Sequence, residues 1–156
     1  MPIRTVTRSI DLAVDADRAW EAVGRPEGLA AWLGSSVELE ADVAGLGAGS
    51  VAVVVDHGGR RRRAVVAARH EGAGLTFTWW DEAQPEHAST VRIEVEATAD
   101  GSRVTVTETA APASSGGAGR ASMSAAAVDH LHDLGAVWDG RLARLAGRVA
   151  PLPVAA

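Results

Sequence analysis

Between Arg120 and Val149 the apolar residues Met123, Ala127, Leu131, Leu134, Trp138, Leu142, Leu145 and Val149 recur at steps of four, four, three, four, four, three and four. That spacing keeps all of them on one face of a single helix. At about 1.5 Å per residue, such a helix is roughly 45 Å long. Asp129, Asp133, Gly140 and Arg144 fall on the other side, as a solvated face requires. A stripe this long cannot bury itself. The remaining chain offers mainly strand-like runs to cover it, so the sequence reads as one long helix laid across an antiparallel sheet, an α+β fold.

Those runs follow in order. Thr5 to Val14 alternates, with Val6, Arg8, Ile10, Leu12 and Val14 on one side. Asp15 fits an N-cap for a short helix from Ala16 to about Val23, and Asp17 favours its dipole. Pro26 opens a second short helix whose buried side is Leu29, Trp32 and Leu33, with Gly34 as its stop. Strands are predicted at Val37 to Ala41, Val51 to His57, Arg63 to His70 and Leu75 to Asp81. Gly58-Gly59 reads as a hairpin turn, and Gln84-Pro85-Glu86 as a polar loop. Thr90 to Thr98 places Val91, Ile93, Val95 and Ala97 inward, with Arg92, Glu94 and Glu96 outward. Asp100-Gly101 turns the chain into Arg103 to Thr109. Ala111 to Gly119 is a Gly- and Ser-rich loop. The glycine-rich stretch Gly45 to Gly49 lacks the Gly-Lys-Ser/Thr ending and the βαβ setting of a phosphate loop.

One domain spanning 1-156 is expected at this length. There is no cysteine, which removes disulfides and thiolate metal sites. No apolar run reaches the length of a membrane span, and MPIRTVTRSID lacks the apolar core of a secretory signal, so a cytoplasmic setting is expected. A net charge of −5 argues against a general affinity for nucleic acid. All basic residues are Arg, which with the abundance of Ala, Gly and Val points to a GC-rich coding genome; a bacterial source is expected. The aromatic set is five Trp and one Phe without Tyr, so the placement of the Trp side chains carries weight.

The element order, closing on a lone long helix, resembles the START/SRPBCC superfamily, whose helix-grip fold wraps a curved antiparallel sheet of about seven strands around the last helix. Asp15-Ala16-Asp17-Arg18-Ala19-Trp20 sits where that superfamily enters its first helix. Pro26 to Gly34 (PEGLAAWLG) is similar to its second helix, and Leu75-Thr76-Phe77-Thr78-Trp79 to its "l-x-f-t-W" strand. These stretches are most similar to the homologues of the heat-shock-protein-90 ATPase activator, with polyketide cyclases as more distant relatives. The resemblance implies a largely apolar cavity between sheet and helix and no single shared chemistry. The residues expected to line that cavity are Phe77, Trp79, Val95, Val106, Glu108, Leu131, Leu134, Gly135 and Trp138.

Each candidate has an ordinary reading beside the functional one. Trp79 lies on the inner face with Leu75 and Phe77, as core or as cavity wall; Trp80 points the other way, to the outside or a rim. Glu108 shares its face with Val104 and Val106, and a buried carboxylate there needs a partner, for which Arg8 and Arg141 are the candidates. Gly135 falls within the helix stripe, where glycine costs roughly 1 kcal/mol relative to Ala. The room it leaves suits a bound ligand or a large side chain such as Trp79. Arg60 to Arg63 reads as a solvated hairpin tip that blocks edge pairing. His130 and His132 point nearly opposite ways on the helix, and His57 and His70 lack carboxylate co-ligands, so no metal is expected. Ser114, Ser115, Ser122 and Ser124 have no His-Asp arrangement.

With inward strand residues mostly Val, Ala, Ile and Leu, the reading favours binding of a small apolar or amphipathic molecule, with no catalytic residue and no cofactor. A polyketide cyclase/dehydratase-like enzyme and a chaperone-partner module are the alternatives, the latter leaving room for a protein partner.

Overall fold

The computed structural model describes residues 4–34, 36–39, 47–56, 59–110 and 125–149, with side chains in the last segment described from residue 135 onward. The elements come in the expected order: β1 (Arg4–Leu12), α1 (Ala16–Val23), α2 (Pro26–Trp32), β2 (Ser36–Leu39), β3 (Val51–Val55), β4 (Arg61–His70), β5 (Gly74–Asp81), β6 (Gln84–Thr98), β7 (Gly101–Ala110) and α3 (Ala125–Val149). The strands form one antiparallel sheet in the order β1-β7-β6-β5-β4-β3-β2. β1 and β2 are its two edges, so the α1–α2 pair carries the chain from one edge to the other. This is the helix-grip arrangement, and the long last helix is its third layer element. No described helix is long and apolar enough to cross a membrane.

Local chemistry sets the corners. The Asp15 carboxylate accepts from the Arg18 backbone N–H at 2.8 Å, and caps α1 as its sequence suggested. Pro26 begins α2, where its missing N–H costs nothing. The buried Trp32 indole donates to the Ala22 carbonyl at 3.0 Å and ties the two helices together. Ser102 donates to the Val14 carbonyl at 2.8 Å, fixing the turn out of β1 against β7.

β4 carries an irregularity between Val66 and Ala68. Before it, Arg62, Ala64 and Val66 alternate inward; after it the alternation shifts by one, as a bulge requires. Arg69, opposite Leu75, then points at the α1 corner. Its guanidinium lies 5.3 Å from the Trp20 ring centre and donates to the Gly24 carbonyl at 2.6 Å. Glu71 accepts from both the Trp20 indole and Arg69, and these bonds hold its carboxyl below the usual range.

Several expectations change. Gln84-Pro85-Glu86 is the start of β6, not a loop, because the hairpin with β5 closes tightly, with Asp81 opposite Gln84. Ala97 is exposed, near the tip of the β6–β7 hairpin, beyond the alternation that buries Val91, Ile93 and Val95. The arginine run does not guard an edge: Arg61, Arg62 and Arg63 pair with β3 on one side, and Arg62 and Arg63 with β5 on the other. The stretch 111–119 expected as a loop, the expected helical residues 120–124, the four serines of 114–124 and His57 lie outside the described residues, as do the side chains of His130, His132, Leu131 and Leu134.

Gly101 marks the tightest fit in the sheet. Its φ is +154°, and a Cβ there would run into the Leu12 carbonyl and come within 3.0 Å of the Val14 carbonyl. Both obstacles are backbone and cannot swing aside. Gly101→Ala should therefore lower the unfolding free energy by about 1–3 kcal/mol in a denaturant titration. An unchanged midpoint would show that the β1–β7 corner is looser than this.

Candidate functional site

The inner face of the sheet is read from its register. One row across the strands places Val66, Phe77, Val91, Glu108 and Val6 side by side; the next places Ala64, Trp79, Ser89 and Ala110. Val91 and Trp79 are fully covered and Phe77 is buried, so Glu108, at 3% exposure, is a carboxylate inside an apolar core. Burying such a group is costly unless donors surround it.

Three donors do. The Trp79 indole N–H reaches Glu108 Oε2 at 2.8 Å. The Ser89 hydroxyl donates to the same oxygen. From the helix side, the Trp138 indole N–H reaches Oε1 at 2.8 Å. The carboxylate therefore links β5, β6 and β7 to α3. The two indoles lie near-parallel, their centres 6.0 Å apart, and Phe77 meets Trp79 edge-on at 5.4 Å. With both oxygens accepting, Glu108 bridges the sheet and α3.

Two guanidiniums complete the layer. Arg141, on α3, is 4% exposed and lies 4.6 Å from the Trp138 ring centre and 5.2 Å from that of Trp79. Arg62, half-buried on β4, lies 4.7 Å from the Trp79 ring centre. Arg62 Nε and Arg141 Nη1 are buried and have no hydrogen-bond partner among the described residues. Burial pushes the Arg141 guanidinium down to about 10; the Arg62 charge adds to the shift, while Glu108 and Asp56 oppose it. A base held below its ordinary value disfavours folding while charged. That cost, about 3 kcal/mol at neutral pH, disappears as pH rises from about 10 toward the value of the unfolded chain.

The expected site residues divide. Trp79, Glu108 and Trp138 meet in one cluster, with Phe77 beside it. Val106 is buried next to Ile93. Val95 is buried four residues along β6 from Val91, about 13 Å away and toward the α1 end. Gly135 is buried, and the room it leaves is taken by the Arg8 guanidinium, not by Trp79. Arg8 is not the partner of Glu108 but pairs with Asp139 at 3.2 Å. The interior is also more polar than an inventory of Val, Ala, Ile and Leu suggests. Arg62 and Ser89 also face this layer; the signal in the sequence is that Arg62 alternates with Ala64 and Val66, and Ser89 with Val91 and Ile93. Among the described residues no group of His, Asp and Glu could hold a metal ion.

Glu108→Gln keeps the shape but replaces one acceptor oxygen with an NH₂ facing an indole or hydroxyl donor. At least one buried donor then loses its partner, and Arg141 loses one of the two carboxylates, Glu108 and Asp56, that favour its charge. The variant should be less stable by about 1–3 kcal/mol, measured by chemical unfolding followed through Trp emission. Stability equal to the parent would mean that the clamp contributes nothing.

The polyketide cyclase / dehydrase and lipid transport family model matches residues 4–149. No curated protein sequence matches the chain. Among solved structures, DynU16, a protein of the dynemicin biosynthetic locus, superposes with a TM-score of 0.70 at 20% identity; 93% of this chain is covered, spanning 46% of that one. MLL2253 from Mesorhizobium loti gives 0.70 at 15% identity, covering 92% of this chain and 95% of the other. Ara h 8.0201 gives 0.69 at 18% identity, covering 95% and 97%. These likenesses are of fold. The family match runs from β1 to the last residue of α3, and the chain belongs to the polyketide cyclase / dehydrase and lipid transport family.

Proposed function

We propose that the protein binds a small amphipathic molecule between the sheet and α3 and holds it without turning it over. The observation that carries this reading is the layer of Trp79, Trp138, Arg62 and Arg141, which lies between apolar sheet and helix yet leaves buried N–H donors unspent. A layer built only for packing would spend them or omit them. Family membership supports a small apolar partner of this kind.

A cyclase or dehydratase is the second reading, and the buried polar cluster is what favours it. Against it stands Glu108, the one carboxylate of the cluster, whose oxygens are already bonded to Trp79, Ser89 and Trp138. The narrower likeness to the heat-shock-protein-90 ATPase activator homologues rests on the three motif stretches alone. A partner-docking role would draw on exposed apolar surface, and among the described residues only Val137 is a large hydrophobic group left exposed.

The neutral apolar probe N-phenyl-1-naphthylamine should quench Trp emission saturably, because a ligand in this layer lies against Trp79 and Trp138. Native mass spectrometry of protein purified from its own host should show a retained small mass. A linear, unsaturable response together with a bare protein mass would refute the reading. Conversion of a linear poly-β-keto thioester to an aromatic product would put the enzyme first.

A further inference from the structure

The charges inside the grip do not balance. Two guanidiniums, Arg62 and Arg141, flank the Trp79–Trp138 pair, and among the described residues Glu108 is the only carboxylate buried with them. Its oxygens are spent on two indoles and a hydroxyl, and it makes no ion pair with either arginine. The repulsion is felt: Arg62 lowers the affinity of Arg141 for its proton, and so does Arg144 from the exposed side of α3. Asp56, at the β3 end, draws the other way, but its Oδ1 accepts from the Arg60 backbone N–H at 2.9 Å. A buried charge of this kind is ordinarily neutralised by a partner.

Position adds direction. Arg62 stands on β4 and Arg141 on α3, so the two come from opposite walls of the grip. Each has a buried N–H without an acceptor among the described residues. Guanidinium N–H groups are matched in geometry by carboxylate oxygens. Phe77 and Val91, both buried, continue the same wall as apolar side chains against which a hydrocarbon tail would pack once the layer opens.

We propose that Arg62 and Arg141 recognise the carboxylate of an amphipathic acid whose apolar part lies along the inner face of the sheet. This rests on the ligand-binding reading above and adds the chemical class of the ligand. Arg62 and Arg141 are binding residues here; no bond is made or broken.

The test compares decanoate with decanol, which share a tail and differ in the head group, by calorimetry and by Trp quenching. Decanoate should bind at least about tenfold more tightly to the parent protein. Arg141→Met should lose that preference, so that decanoate and decanol bind within about twofold of each other. It should also raise the thermal midpoint of the ligand-free protein by several degrees, because an unneutralised charge leaves the core. Arg62→Met, at a half-buried position on the sheet, should lose the preference as well, and it carries the test if Arg141→Met does not fold. Equal affinity for the two ligands in the parent would overturn the carboxylate assignment and leave the binding reading standing. So would a preference that survives both substitutions, or a fall in the midpoint of ligand-free Arg141→Met. If neither ligand nor the neutral probe binds, both inferences fall.

Discussion

The attachment of the last helix to the sheet centres on one buried carboxylate. Glu108 draws Trp79 from β5, Ser89 from β6 and Trp138 from α3 onto two oxygens. Apolar contact alone would let a helix slide along a concave sheet, since hydrophobic burial has no direction. Hydrogen bonds to a fixed acceptor have direction, and a carboxylate in a core cannot give up its donors cheaply. The clamp therefore sets how far along α3 the sheet is gripped, while Leu142, Leu145 and Val149 supply the area.

The same logic explains the unusual aromatic set. Four of the five Trp spend their indole N–H on a specific acceptor: Trp20 on Glu71, Trp32 on the Ala22 carbonyl, Trp79 and Trp138 on Glu108. Indole is donor-only, so it cannot compete with these acceptors as a phenol could. Each Trp combines a large apolar body with one directed bond. The sheet's inner side chains are mostly small, and a few such residues fasten it to the helices.

The fold was legible because it rests on periodicity. The helix stripe, the Asp15 cap, the Pro26 start and the strand alternation all repeat within short windows, and the elements came out in the expected order. What could not be read locally depends on who meets whom. Glu108 was recognised as an inward carboxylate, but its donors lie 19, 29 and 30 residues away along the chain. Arg62 was absorbed into a run of four arginines, where composition masked an alternation that continues through Ala64 and Val66. Gly135 was recognised as a gap in the stripe. That Arg8 fills it follows from β1 closing beside β7, which no local window contains. The β4 bulge is a further case: the two-residue alternation fails at Ala67, and only the shifted register explains why Arg69 faces α1.

A filled interior and a binding site are compatible because the layer is not held uniformly. Trp79 and Trp138 are each pinned to Glu108 and almost fully covered. Arg62 rests on the Trp79 face through a cation–π contact, its Nε unpartnered, and is only half-buried. A cation–π contact contributes on the order of 0.5–2 kcal/mol, less than removal of donors from a buried carboxylate costs. Displacing Arg62 is thus the cheaper way to open the layer, and lifting α3 the more expensive one. An acid entering past Arg62 would bring its own acceptor for the Nε N–H, which offsets the contact it breaks. Arg141 waits deeper, on the helix, with its charge still lacking an ion-pair partner. The clamp that fixes the helix and the arginines that strain the core are then parts of one arrangement: rigid where the layers join, and open to exchange where a ligand's charge would complete it.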